Sequence, residues 1–173
     1  MLYGENINLR PFTHADLELF EGWTNDPQYS SQYNNFGLQR TDSLARGLAE
    51  DGMVGARHGM LVVATKSGAV VGDVSYHQVM YGPEGSQAYS IGITIASEHR
   101  GNGCGVEAQQ MMAAYLLATY PIMRIEAQTD ITNIPEQRAL DKAGFTREGV
   151  LRQAQWRDGA WHDLVVYSKL RGE

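Results

Sequence analysis

Apolar and polar residues alternate along several stretches of this chain, which is the pattern of strands that are buried on one face. The first such stretch covers residues 6–10, where Ile7 and Leu9 share a face and Pro11 closes the segment. The next two stretches form a predicted hairpin around a turn at 66–68. The pattern predicts strands at residues 6–10, 60–65, 69–80, 88–96, 122–130, 145–156 and 161–170.

Between these strands, apolar residues repeat every three or four positions, which indicates helices with one buried side. Thr13, followed three residues later by Asp16, forms a capping-box-like start for the first helix. The strongest helical pattern runs from Val106 to Tyr120, and Pro121 ends it. The pattern predicts helices over residues 13–24, 41–51, 106–120 and 135–142.

The remaining segments carry turn and loop residues. Residues 28–40 are polar with scattered aromatic side chains, which predicts a loop or a broken helix. Such a loop is by default a connector, and near a site it could select the substrate. Turns are predicted at residues 83–85 and at Asp158-Gly159, where Asp-Gly between two strands is a strong hairpin signal.

The order of predicted elements is β-α-α-β-β-β-α-β-α-β-β, which describes a mixed α/β (α+β) fold. Only one βαβ unit occurs, at residues 88–130, and the other strands follow one another as a meander. The length of 173 residues suits one domain, so residues 1–173 are expected to form a single unit.

Composition narrows the classes of function. The formal net charge of −6 argues against non-specific binding to nucleic acid. No apolar run reaches the length of a membrane-spanning helix, and the first ten residues lack the basic and apolar regions of a signal peptide. Cys104 is the only cysteine, which excludes an internal disulfide, and the histidines show no metal-ligand spacing. We expect a cytoplasmic protein without a metal site.

The chemistry-bearing motif is a strand that ends in Arg100 and is followed by Gly101, Gly103 and Gly105, directly before the strongest helix. The first N–H groups of a helix have no partner within it, and the helix dipole favours an anion there. Glycine allows the backbone to approach a ligand closely. The motif therefore predicts a site for a phosphorylated cofactor.

Two familiar phosphate loops fit less well than a third. A P-loop requires lysine at the helix start, and none is present. The residues from Gly103 to Ala108 match the dinucleotide pattern Gly-x-Gly-x-x-Ala, and Glu126 lies where a ribose-binding acid would follow. That fold needs repeated βα units, however, and here a meander precedes the loop and a hairpin follows the last helix.

The third loop is a coenzyme A loop. The sequence Arg100-Gly-Asn-Gly-Cys-Gly105 fits Arg-x-x-Gly-x-Gly, and the chain resembles the GNAT superfamily of N-acetyltransferases over nearly its whole length. It is most similar to the branch that contains ribosomal-protein alanine N-acetyltransferases. The resemblance also rests on Leu9 to Asp16, on Asn133 with Ala143-Gly-Phe145, and on Asp158 to Asp163.

This resemblance implies a GNAT fold, with a mostly antiparallel central sheet of about seven strands and about four helices. Its fourth and fifth strands, at residues 88–96 and 122–130, would run parallel and splay into a V that admits the pantetheine arm of acetyl-coenzyme A. The cofactor-binding residues that it implies are Ile93, Thr94, Ile95, Arg100, Gly101, Asn102, Gly103, Cys104, Gly105 and Asn133. Asn133 could equally cap the helix that follows it.

The chain departs from the family at three positions that often carry catalysis. Leu140 stands where many members have a tyrosine that protonates the leaving thiolate. Glu136 stands where related members have a serine, and Ser90 replaces a common glutamate on the fourth strand. Glu136 is a candidate proton carrier, directly or through water, although a solvated helix carboxylate is the simpler interpretation.

Other catalytic candidates come from strand alternation. Asp73, Ser75 and His77 share one face of a strand, and a histidine has a suitable pKa for a general base. Tyr89 and Ser90 could position a substrate. A half-solvated polar strand face without catalytic function would carry the same residues.

The sequence thus predicts an acetyl-CoA-dependent N-acetyltransferase that moves an acetyl group to a primary amine by direct transfer in a ternary complex. The acceptor would be a protein N-terminus or a small molecule. Because related proteins are often homodimers, the resemblance implies that this chain can form a homodimer. Two alternatives stay open: a non-catalytic coenzyme A-binding module, and a nucleotide-dependent oxidoreductase.

Overall fold

A computed structural model describes residues 1–83 and 85–173. Within this part of the chain, eight strands form one sheet in the order β1-β2-β3-β4-β5-β6-β8-β7, in which the β5–β6 pair is parallel and the other pairs are antiparallel. The strands are β1 (Leu2–Tyr3), β2 (Ile7–Pro11), β3 (His58–Thr65), β4 (Val70–Met80), β5 (Gln87–Ile95), β6 (Arg124–Asp130), β7 (Thr146–Arg157) and β8 (Ala160–Leu170).

The predicted fold class is confirmed, with one strand more than expected. The additional strand, β1, pairs Leu2 with Leu9 and Tyr3 with Asn8. Two residues are too short to show a period-two pattern, so only its partner strand could reveal it. The Asp158-Gly159 turn joins β7 to β8 with φ of 50° and 78°, as its sequence predicts. The predicted turn at 83–85 includes Glu84, which lies outside the described residues.

Five α-helices occur in the described part of the chain: α1 (Leu17–Trp23), α2 (Pro27–Ser30), α3 (Ser43–Asp51), α4 (Cys104–Thr119) and α5 (Ile134–Lys142). The one-turn helix α2 lies inside the predicted loop. The carboxylate of Asp26 accepts the N–H of Gln28, and Pro27 occupies the first helical position, so a short helix begins there.

The helices cover both faces of the sheet. Helix α4 buries Ala108, Met112 and Leu116 against the main apolar core, to which β2, β5, β6 and β8 contribute. On the opposite face, α1 buries Phe20 against Phe12 and Val62 in a smaller cluster, with side chains from α2 and α3 around it. Strand alternation separates the two clusters.

The sheet opens between β5 and β6. The two strands pair only from Tyr89 to Ile91 on β5 and from Ile125 to Ala127 on β6. Beyond this point β5 remains paired with β4 as far as Ile95, and β6 remains paired with β8 as far as Asp130. Because each strand follows a different neighbour in a twisted sheet, the two diverge and form the predicted V.

None of the described helices is long and apolar enough to cross a membrane.

Candidate active site

A cleft of about 660 Å³ lies where β5 and β6 diverge. On one sheet face its walls come from α4 and α5, including Val106, Gln109 and Ala139. On the other face its walls come from the segment around α2 and from β4, including Tyr33 and Ser75. The cleft therefore passes through the opening in the sheet and can admit one reactant from each side.

The glycine loop stands at one end of the cleft. Gly101 and Gly103 have φ of 80° and 83°, a left-handed conformation that favours glycine, and open space surrounds the Cα of each. Gly103 precedes α4 without a side-chain cap, and the first helical bond runs from Glu107 N to Gly103 O at 3.1 Å. Among the described residues, the N–H groups of residues 104–106 have no acceptor, so this end of α4 fits a diphosphate.

The side chain of Arg100 connects two parts of the site. Its Nε donates to the carbonyl of Ile95 at 2.7 Å, and its Nη2 donates to the carbonyls of Gln28 and Tyr29 at 3.0 and 2.7 Å. These bonds fix the segment around α2 to the end of β5. Within the described residues Nη1 has no acceptor, which leaves donors for an anion at the loop.

Most of the predicted cofactor residues line the cleft. Ile93 and Ile95 turn their side chains toward the core, while their backbone lies along the unpaired edge of β5. Asn102 in the loop and Cys104 at the first position of α4 are not among the lining residues in the described part of the chain. The predicted residues that line the cleft are Ile93, Thr94, Ile95, Arg100, Gly101, Gly103, Gly105 and Asn133.

Asn133 caps α5, which is one of its two predicted roles. Its Oδ1 accepts the N–H of Glu136 at 3.4 Å, and its Nδ2 donates to Thr129 Oγ1 at 3.0 Å. The side chain is half-buried in the cleft wall, where it can also meet a bound cofactor.

Glu136 is the carboxyl group in the wall of the cleft. Its Oε1 accepts a hydrogen bond from Gln109 Nε2 at 2.9 Å. Burial raises its pKa to about 7, because an apolar environment disfavours the charged form. A carboxyl group with this pKa can hold or release a proton near neutral pH.

The other three predicted catalytic residues lie outside the cleft lining that the described residues provide. Ser90 is buried on β5 in register with Glu126 of β6, just before the strands separate. Tyr89 is buried in the main core, and its hydroxyl donates to the carbonyl of Ala56 at 2.5 Å. His77 is exposed and lies opposite Ser90 on β4.

One pair of site residues was not predicted together. The hydroxyl of Tyr29 donates to Asp73 Oδ1 at 2.7 Å, and the Tyr29 ring stacks on Trp23 at 4.3 Å between centroids. Burial raises the pKa of Asp73 to about 6. Alternation on β4 had marked Asp73, but no spacing rule links it to a tyrosine 44 residues earlier.

A second groove of about 670 Å³ continues from the cleft, because Gln128 lines both. In its wall, Arg124 Nη1 donates to Glu148 Oε1 at 2.6 Å and Arg124 Nε donates to the buried Glu126 at 3.3 Å. The Tyr81 hydroxyl also donates to Glu126. Of these charged groups, Glu148 and Arg124 line the groove, whereas Glu126 is buried behind them.

In the described part of the chain, no group of three or more His, Cys, Asp or Glu residues has the arrangement of a metal site.

Comparison with known proteins agrees with this geometry. The acetyltransferase (GNAT) domain model matches residues 6–146. The uncharacterized N-acetyltransferase p20 of Bacillus licheniformis is 26% identical over 176 residues, which cover 99% of this chain and 97% of that protein.

Two solved structures share the fold. The ribosomal-protein-S5-alanine acetyltransferase of Vibrio fischeri superposes with a TM-score of 0.78 at 19% identity, over 99% of this chain and 97% of that one. The spermidine N-acetyltransferase of Vibrio cholerae, solved with CoA and spermine, superposes with a TM-score of 0.77 at 18% identity, over 96% of each chain.

Proposed function

Because this chain belongs to the GNAT acetyltransferase family and is an N-acetyltransferase, we propose that it transfers the acetyl group of acetyl-CoA directly to a primary amine in a ternary complex. The observation that carries the proposal is the cleft, which opens on both faces of the sheet at the point where β5 and β6 separate. Two reactants entering from opposite sides would meet there, and holding them together supplies much of the rate.

The cofactor is proposed to enter on the side of α4 and α5. The unbonded N–H groups at the start of α4 and the open space around Gly101 and Gly103 fit its diphosphate. The unpaired backbone edge from Gly92 to Ile95 fits the amides of its pantetheine arm, as an added strand would. The bound cofactor supplies an activated acetyl thioester.

The acceptor is proposed to enter on the opposite side, between α2 and β6. This half of the cleft carries neutral polar side chains, and Gln128 also borders the groove lined by Arg124 and Glu148. The formal net charge of −6 is compatible with an amine that arrives as a cation. The two solved relatives are named for an alanine of ribosomal protein S5 and for spermidine, and both acceptor classes would fit an open groove.

Within this arrangement we assign Glu136 as the proton donor to the departing sulfur. It lines the cofactor half of the cleft, and its pKa of about 7 keeps part of the population protonated at neutral pH. A backbone N–H of β5 near Ile93 would bind the charge that develops on the carbonyl oxygen. His77, Ser90 and Tyr89 stay predictions for the amine side of the reaction.

The test is release of free thiol from acetyl-CoA in the presence of a panel of amines: N-terminal peptides, polyamines and aminoglycosides. Turnover with at least one class, with the product mass raised by one acetyl group, is expected. Tight coenzyme A binding without turnover of any amine would instead favour a non-catalytic binding module. That alternative rests on Leu140, which is fully buried and replaces the family tyrosine, and on Ser90 in place of glutamate.

A further inference from the structure

Of the two polar atoms in the Gln109 side chain, only one has a hydrogen-bond partner among the described residues. It is 1% exposed on α4, and its Nε2 donates to Glu136 Oε1 at 2.9 Å. Its carbonyl oxygen, Oε1, is also buried but meets no donor among the described residues. Because buried polar atoms in folded proteins are almost always paired, this oxygen requires a donor that the heavy-atom contacts do not identify.

Glu136 lacks a cation that would stabilise its charged form. The charged side chains lining the same cleft are Arg138 and Lys142 on α5 and His99 and Arg100 before α4, and within the described residues none of them forms an ion pair with Glu136. The neighbouring strand β6 contributes only neutral lining residues, Ala127, Gln128 and Thr129. Glu136 is half-buried, and a carboxyl group that is largely removed from water and has no cation favours its neutral form, which carries a hydroxyl donor.

We propose that Glu136 and Gln109 form a cyclic acid–amide pair, in which the carboxyl hydroxyl of Glu136 donates to Gln109 Oε1 while Gln109 Nε2 donates back to Glu136 Oε1. One proton on Glu136 then satisfies the orphaned oxygen. Gln109 is a positioning residue, because it orients the acidic proton without touching the reacting atoms itself. The catalytic role of the pair rests on the proposed transfer reaction, whereas the hydrogen-bonded pair itself forms whether or not that reaction occurs.

The position of Gln109 along α4 places the pair in the wall of the V. Gly105, four residues earlier, lies against β5, since a Cβ there would stand 3.8 Å from Ile93 Cδ1 and Ile95 Cγ1. Six residues separate Gln109 from Gly103, which corresponds to about 9 Å of helix. Gly105 and Gln109 share a helix face and both line the cleft.

During transfer, the amine nitrogen forms its bond to the acetyl carbon and the carbon–sulfur bond breaks. The Glu136 hydroxyl turns away from Gln109 Oε1 and gives its proton to the sulfur, and the attacking nitrogen loses a proton to solvent. The Glu136 carboxylate that remains keeps the hydrogen bond from Gln109 Nε2, which holds it in place until water returns the proton. The pair therefore stores one acidic proton for each turnover.

The direct test is infrared spectroscopy of the protein alone across pH 5 to 9. A protonated buried carboxyl group has a carbonyl band that ionised groups lack. We expect such a band below about pH 7, fading as pH rises, and absent from Glu136→Gln. Asp73→Asn removes the separate band of Asp73, whose pKa burial also raises. Glu136→Gln should fold, because its amide can form both bonds with Gln109.

Gln109→Met then tests the pair itself. This near-isosteric change removes both hydrogen bonds, so the Glu136 band should move to higher frequency. A band that keeps its frequency in Gln109→Met, or a Glu136 that shows no protonated band above pH 5, would overturn the proposal. Should Gln109→Met fail to fold, the difference between the wild-type and Glu136→Gln spectra still decides whether Glu136 carries a proton.

A kinetic readout follows once an acceptor is known. Gln109→Met should lower kcat about tenfold, while KM for acetyl-CoA changes less than about twofold, because positioning affects the proton transfer and not binding. Equal loss of affinity and turnover would mean that Gln109 only shapes the cleft, against the proposal. Absence of turnover in the wild-type protein would refute the transferase proposal alone, because the infrared result is obtained without any substrate.

Discussion

At the scale of single residues, the glycine loop shows how conformation and chemistry coincide. Gly103 has φ of 83°, so a side chain there is strained, and it also provides the cap position of α4. The space around Gly103 is open, so a substitution there affects only the backbone conformation and the approach of a ligand. A second strained glycine away from the ligand separates these two effects.

We predict that Gly103→Ala weakens coenzyme A binding at least tenfold, because a methyl group stands where the diphosphate must approach bare amides. Isothermal calorimetry measures the affinity. Gly68→Ala is the matched control, since Gly68 has φ of 91° and open space around it in the β3–β4 turn, which does not line the cleft. Equal affinities in the two variants would contradict the loop assignment.

At the scale of elements, the first helical segment begins on a local signal that the sequence predicts. The Asp16 carboxylate accepts the N–H and the hydroxyl of Thr13, both at 2.8 Å, and forms a two-pronged ion pair with Arg10 at 2.6 and 2.8 Å. These donors lower the pKa of Asp16 to about 2, and the hydrogen bond from Arg10 has the largest effect.

Asp16→Asn should therefore destabilise the protein by about 2 kcal/mol at pH 7, since bonds to a charged group are lost. The folded pKa lies below the unfolded one, so this contribution is complete above about pH 4 and disappears as pH falls toward 2. Urea unfolding at pH 7 and near pH 2.5 measures it. The exposed Asp158→Asn serves as control, and a deficit of Asp16→Asn that persists undiminished in acid would refute the interpretation.

The segment around α2 is held at both ends by arginines that are distant in sequence. Arg100 binds the carbonyls of Gln28 and Tyr29, and Arg157 Nη1 donates to the carbonyl of Tyr33 at 3.3 Å. Arg157 is itself fixed by Asp130 at the end of β6, at 2.5 Å. The segment thus spans the V on the acceptor side of the sheet.

Removing the Tyr29 hydroxyl should loosen this segment, because Asp73 then loses its donor. We expect Tyr29→Phe to raise KM for the acceptor several-fold and to leave coenzyme A affinity within about twofold. Steady-state kinetics and calorimetry measure the two quantities, with Tyr3→Phe, at a residue 77% exposed, as control. A parallel loss of coenzyme A affinity would show that the segment serves the cofactor instead.

At the scale of the whole molecule, the pairing of the strands in the sheet creates the site. The opening exists because β5 stays with β4 and β6 stays with β8, and helices on both faces supply the walls. An opening through the sheet gives both reactants access at once, so no covalent acetyl-enzyme is required.

Initial rates measured while both substrates are varied should therefore give intersecting double-reciprocal lines. Parallel lines would indicate an acetylated enzyme and contradict direct transfer. A mass spectrum of the protein after incubation with acetyl-CoA alone provides the control, and no acetyl adduct is expected.

The sequence by itself determined the features that depend on neighbours along the chain. The glycine loop, the Thr13–Asp16 helix start and the Asp158-Gly159 hairpin each rest on backbone conformation or on hydrogen bonds within a few residues, and these leave a local pattern. The family resemblance also predicted the splay of the sheet.

Only the tertiary structure decided which side chains meet. Tyr29 finds Asp73 across 44 residues, and Gln109 finds Glu136 across 27. The burial that raises the pKa of Glu136 comes from the packing of α5 against α4 and the sheet, not from its own segment. Such contacts arise from long-range packing, which leaves no periodic trace in the sequence, so the chemistry of the cleft emerges only once the sheet has assembled.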